Sequence, residues 1–187
     1  MDKSLSALNG MKTPDAPVGA TIMLEDVFPF SLHQIAAWPD TMAKAGAVAA
    51  KQIGCASAPD PGHAMIGSAG ALLRVEPLKW WLISPDPDVA PPKIADTQGA
   101  ALDLSHSRTW IRVSGDKSET LLNHFLPLDL RDGAFPPGSV ASTAFHHVGI
   151  TLWREEAGYS LLVPRSFAVS LWELLVETAT QYGIAVR

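Results

Sequence analysis

Basic residues never cluster in this chain, and that excludes much. Fourteen Lys and Arg stand against nineteen Asp and Glu, a formal charge of -5. Without a basic run there is no footprint for a nucleic acid or an anionic membrane surface. Cysteine is almost missing. Cys55 is the single one, so no internal disulfide forms, which fits a reducing compartment. No run of roughly 18 apolar residues occurs, so no helix is expected to span a membrane. Met1 to Gly19 has no positive start followed by an apolar stretch, so a signal peptide is not expected. The expectation is a soluble, cytoplasmic protein. Charge is scarce overall, at 18% of 187 residues against 47% apolar. A lone soluble domain carries about 25% charge, so the deficit points to a surface partly covered by a partner.

The length suffices for a substantial core, in one large domain or two small ones. Residues 1–19 lack periodicity and read as a flexible or partner-docked tail. Thr21 to Val27 reads as a first strand. Pro39-Asp40 opens a helical run with Met42, Ala45, Ala49 and Ile53 on one face, and Gly54 ends it. Ala71–Val75 and Trp80–Ile83 read as strands about a turn at Glu76-Pro77. Ser84 to Pro92 has linker composition. Beyond it, Thr109, Ile111 and Val113 alternate with Arg108, Trp110 and Arg112, the period of a strand. Asp116 and Glu119 have the spacing of a capping box before a helix bearing Leu121, Leu122, Phe125 and Leu126. Val148, Ile150 and Leu152, a turn at Glu155 to Gly158, then Tyr159, Leu161 and Val163 make a hairpin. Pro164 and Ser166 lead into a long helix with a stripe of Phe167, Leu171, Leu174, Leu175 and Thr178. Gly183 ends it, and Ile184–Val186 is a last strand. The order strand, helix, strand, strand, helix, strand is the split βαβ, ferredoxin-like plan. The fold class expected is α+β, with two related halves, 20–97 and 98–187, forming one compact unit with antiparallel sheets. In the first half the second helix is reduced to the Pro-rich segment.

Few residues combine into chemistry. Asp103, Ser105 and His106 are the types of a hydrolase triad, but three side chains within four extended positions cannot converge as nucleophile, base and orienter. They read instead as turn-capping groups at a strand entry. His146 and His147 are adjacent, so on a strand their rings diverge and do not chelate. Cys55 follows a helix end, where the dipole disfavours a thiolate. Gly67 to Gly70 lacks the glycines of a dinucleotide fingerprint, and no phosphate-loop lysine motif exists. No catalytic residue, cofactor or metal is therefore expected on this chain. The aromatics remain. Trp80 and Trp81 face opposite ways on their strand, Trp110 shares a face with Arg112, and Trp172 sits outside the apolar stripe of its helix. Trp and Arg are enriched at protein interfaces. Trp80, Trp110, Arg112, Arg165 and Trp172 are the candidate subunit interface. The alternatives are that a second layer of the chain covers the rings, or that a folate-type ligand stacks on them.

Several runs resemble a known family. Asp103-Leu104-Ser105-His106, Arg108-Thr109, Val113-Ser114-Gly115-Asp116 and Leu121-Leu122 are similar to a stretch of the gamma subunit of heterotetrameric sarcosine oxidase, and more loosely to the glycine-cleavage T-protein superfamily. Leu128-Asp129-Leu130, Phe135-Pro136-Pro137-Gly138, Pro164-Arg165-Ser166-Phe167-Ala168 and Ser170-Leu171-Trp172-Glu173 resemble the gamma subunit more specifically. The resemblance covers residues 103–175. It implies a fold like part of the folate-binding T-protein domain. It also implies a place beside alpha, beta and delta subunits, mainly alpha. In such complexes FAD, FMN, NAD and zinc are held by the other subunits, and sarcosine is oxidatively demethylated with tetrahydrofolate and oxygen. No catalytic residue is carried over. The other reading is a stand-alone folate-binding or folate-dependent one-carbon module. The Pro-rich middle departs from the pattern, because a second helix is expected there.

Overall fold

The computed structural model describes residues 5–11 and 19–187; the expected tail's residues 1–4 and 12–18 lie outside them. Along the chain come β1 (Ile22–Asp26), β2 (Ser31–Ala37), α1 (Met42–Gln52), β3 (Ala64–Gly67), β4 (Gly70–Glu76), β5 (Lys79–Ser84) and β6 (Gly99–Asp103). Then follow β7 (Arg108–Ser114), α2 (Ser118–Leu122), β8 (Val140–Phe145), β9 (Val148–Glu155), β10 (Gly158–Pro164), α3 (Ala168–Thr180) and β11 (Ile184–Val186). The class is α+β, with two sheets in two compact units. One unit is Pro29–His106 with Gly138–Ala141; the other is Met1–Phe28, Ser107–Pro137 and Ser142–Arg187.

The first of these holds a five-stranded sheet in the order β3-β4-β5-β2-β6, with every pair antiparallel. One face packs on α1. Ile35, Ala37, Leu72, Trp80 and Leu82 from the strands meet Ala45, Ala49, Ala50 and Ile53 from the helix. Small residues at a helical spacing let α1 lie close to the sheet. A Cβ on Gly46 would stand 3.3 Å from Trp80 Cζ2, so glycine makes room for the ring. Each large aliphatic side chain buried there contributes about 1.5–3 kcal/mol. Gly54, at φ +79, terminates the helix as its position in the sequence predicts.

The second unit carries a six-stranded sheet, β11-β1-β7-β10-β9-β8. Its apolar face is read directly from the alternation. Val113 pairs with Leu24 and Tyr159, and Ile111 with Leu161, which in turn pairs with Leu152. Helix α3 packs on β11 and α2. The expected capping box does not form. Lys117 is the N-cap of α2 and makes no side-chain cap bond. The Lys117 and Ser118 N–H groups donate instead to the carbonyls of Thr21 and Gly115, so the helix entry needs no side-chain acceptor.

Both units follow one plan: strand, helix, three strands, connection, strand. The connection is α3 in one and the Pro-rich segment in the other. The two sheet orders coincide except that β1 is inserted between β7 and β11. It runs parallel to β11 and antiparallel to β7. The expected halves 20–97 and 98–187 differ from this pairing at two edges. β1 joins the sheet of the later residues, and β6 pairs with β2 in the sheet of the earlier ones. The strand that opens the earlier unit is β2, which the sequence reading passed over.

Candidate functional site

The candidate interface residues fall into two groups. Trp80, Trp110 and Trp172 are each at most 2% exposed, which takes these three out of the candidate interface and leaves the alternative reading of the rings. This chain itself covers them. Trp80 points toward α1 and belongs to its core cluster. Trp172 lies within the buried stripe of α3, together with Ala168, Leu171, Leu175 and Ala179. The expected stripe was set from Phe167, but Phe167 ends a 3-10 turn, Arg165–Phe167, and is exposed. That offset moved Trp172 off the apolar face. Arg165 donates to the Leu5 carbonyl at 2.6 Å, so its guanidinium is engaged by the chain's own N-terminal segment.

Trp110 and Arg112 belong to a polar row on the six-stranded sheet, opposite the aliphatic face. Arg112 is paired in register with Glu25 and Ser160, and Ser160 with Trp153. The Arg112 side chain donates to Glu25 at 2.9 Å and Glu155 at 3.1 Å. Trp110 Nε1 donates to Ser160 Oγ at 2.6 Å, and Ser160 Oγ donates to Glu155 in a very short bond. The Arg112 guanidinium lies 5.1 Å from the Trp110 ring centre. Burial alone would lower the Arg112 pKa, but Glu155 and Glu25 outweigh it and raise the group above its ordinary value. Two carboxylates fixed on one guanidinium make a rigid charge relay across strands.

The five-stranded unit has a cavity of about 260 Å³, lined by Met42, Ala43, Gly46, Ala47, Ala56, Ser57, Ala58, Arg74 and Trp80. Arg74 pairs in register with Trp80, so both stand on the α1 side of the sheet. Arg74 is 9% exposed. Its Nη atoms donate to the Pro59 and Pro77 carbonyls and the Met42 sulfur. Its guanidinium lies 5.2 Å from the Trp80 ring centre. Sequence reasoning missed this residue. In the run Ala71-Leu72-Leu73-Arg74 the inward phase of Leu72 also falls on Arg74, and that phase was the available signal.

The other chemistry-bearing residues are dispersed. Asp103 accepts from the Ser105 hydroxyl at 2.6 Å and backbone N–H at 2.9 Å. These bonds hold its carboxyl below the ordinary value. Ser105 Oγ also accepts from Leu32 N–H, which is the turn-capping role read from the sequence. His33 Nδ1 stands 3.9 Å from Asp103 and Nε2 bonds the Val89 carbonyl. His146 and His147 form the turn between β8 and β9, with His146 at φ +51. Cys55 packs at the edge of the α1 core. Among the described residues, no three His, Cys, Asp or Glu are grouped as ligands of one metal. No helix among them is long and apolar enough to cross a membrane. Large apolar side chains do stand exposed at Trp38, Ile66, Leu102 and Phe167. Ile66 and Leu102 lie on β3 and β6, the two edges of the five-stranded sheet.

No family model and no curated protein sequence matches this chain. Solved structures do. The fold is that of the T-protein class: aminomethyltransferase T of the glycine cleavage system from Bartonella henselae matches 89% of this chain at a TM-score of 0.62 and 13% identity. The chain spans 48% of that protein's length. A chain of the heterotetrameric sarcosine oxidase from Corynebacterium sp. U-96, solved with pyrrole 2-carboxylate, is similar over 91% of this chain and 90% of its own, at a TM-score of 0.75 and 22% identity. At these identities the fold is what is shared.

Proposed function

We propose that this chain is the gamma-type subunit of a sarcosine oxidase-like complex, with no catalytic centre of its own. It packs on and supports the large alpha subunit. One observation carries the reading: the likeness to the sarcosine oxidase chain runs nearly end to end in both proteins, whereas the aminomethyltransferase is about twice as long. A subunit of matching extent is the simpler relation. FAD, FMN, NAD and zinc belong to the alpha, beta and delta partners in this reading, and the whole assembly demethylates sarcosine to glycine in one-carbon metabolism. The charge-poor composition goes with a covered surface, and the single cysteine with a cytoplasmic setting. Exposed Ile66 and Leu102 replace the buried tryptophans as the contacts to examine first.

The test is a pull-down of the tagged chain from its host. The expected result is recovery of one large and one smaller flavin-bearing chain. Recovery of no partner contradicts the reading. The T-protein likeness favours one other function, a free-standing folate-binding module, which predicts saturable tetrahydrofolate binding by the purified chain alone.

A further inference from the structure

We propose that the cavity between α1 and the segment 56–58 is a binding site for a small organic acid, a carboxylate on a flat apolar body, with Arg74 as its anion-binding residue. A charged side chain stands here at a core-facing position of β4, one pleat from Leu72. It forms no ion pair among the described residues. Its bonds go to two carbonyls and a sulfur, which leaves the positive charge without a counter-charge and Nε without an acceptor. A buried cation in that state is costly until an anion joins it. Beside it the Trp80 indole N–H also lacks an acceptor. Both unmatched groups are donors, so the missing partner is an acceptor, and the charge selects an anion.

The remaining walls define the body of that anion. Ala43, Gly46 and Ala47 come from the N-terminal half of α1, which has no acidic residue in its first turn. The positive end of the helix dipole adds to the preference for negative charge. Trp80, Ala56, Ala58 and Met42 supply an apolar, partly aromatic lining, with Ser57 as the polar exception. At about 260 Å³ the cavity lies just under the roughly 300–1,000 Å³ of drug-sized sites. It fits a ring with a carboxylate and not a nucleotide. Arg74 and Trp80 both line the cavity, and their unmatched nitrogens are buried, so a side-chain shift of either completes the contact.

The experiment uses the full chain with benzoate as probe, benzamide as its uncharged counterpart and sodium chloride as ionic control. A Kd near 1 mM raises Tm by about 3–6 °C at about 10 mM benzoate. Benzamide and chloride should give less than a third of that shift. Arg74→Met should abolish the benzoate shift. Because Arg74 also holds the Pro59 and Pro77 carbonyls, that variant can lose stability outright, and Ala43→Glu is the decisive one. Residue 43 is exposed in the first helical turn, where an acid is tolerated or favoured. Its carboxylate competes for Arg74 and supplies the missing counter-charge, so benzoate affinity should fall at least about tenfold while the apo Tm is kept or rises. Equal shifts from benzoate and benzamide, no shift from benzoate, or unchanged affinity in Ala43→Glu would overturn the proposal.

Discussion

Replacing Ser160 with alanine removes one hydroxyl from the centre of the polar row on the six-stranded sheet. Ser160 is fully buried. It accepts from Trp110 Nε1 at 2.6 Å and donates to Glu155. A hydrogen bond to a charged group is worth about 1.5–3 kcal/mol, and a buried donor deprived of its acceptor costs about 1–3 kcal/mol. Arg112 remains on Glu155 at 3.1 Å and offsets part of the first loss. The two losses share one atom and do not add fully. The expected destabilisation is therefore about 2–4 kcal/mol, or about 4–16 °C in Tm for a chain of this length. Urea denaturation followed by far-UV circular dichroism measures it, and an unchanged m-value shows that only stability has moved. Trp110→Phe removes the orphaned N–H itself. In that background Ser160→Ala should cost about 1–2 kcal/mol less than alone. A cost under about 0.5 kcal/mol, or full additivity of the pair, would refute the claim that this row acts as a coupled network.

Further outcomes follow from single residues. Burial raises the Asp26 carboxyl above its ordinary value, against the pull of Ser6 and Arg165, and Oδ1 has no partner. The folded state thus holds that proton more tightly than the unfolded one, so stability from this group is present below about pH 4 and is lost as pH rises through the raised value. Asp26→Asn should raise Tm near pH 7, with the gain shrinking toward pH 4; a gain that grows on acidification contradicts the assignment. Gly70 has φ +149, and a Cβ there would lie 2.2 Å from the Ile83 carbonyl oxygen. Gly70→Ala should cost at least about 2 kcal/mol, whereas Gly133→Ala, with open space around it, should stay within about 0.5 kcal/mol. Leu102→Glu should lower the yield of co-purified partners while leaving the Tm of the isolated chain unchanged; unaltered yield removes β6 from the docking surface.

The elements legible in the sequence are those with a clean period. β7, the β9–β10 hairpin and α3 alternate or repeat along most of their length, and the β4–β5 pair shows as two apolar runs about a turn. β2 was not legible, because His33 and Gln34 interrupt its apolar residues between Pro29 and Pro39. His33 is nonetheless buried, with Nε2 bonded to the Val89 carbonyl. β6 and β8 are short and poor in large β-formers, and neighbouring strands specify them more than their own residues do. Alternation correctly put Trp110 and Arg112 on the same face of β7. It carries no information on what covers a face, and so a partner and a second layer of this chain stayed equal readings for the rings. The shared plan of the two units was legible as an order of elements. The insertion of β1 beside β7 was not, since strand neighbours far apart in the chain leave no local pattern.

The central claim is that this chain contributes a docking surface and no reacting centre. Sarcosine-dependent hydrogen peroxide release should be measured for the purified chain alone and for the assembly it co-purifies. The account predicts no release from the chain alone and flavin-dependent release from the assembly. Turnover of sarcosine by the isolated chain would contradict it.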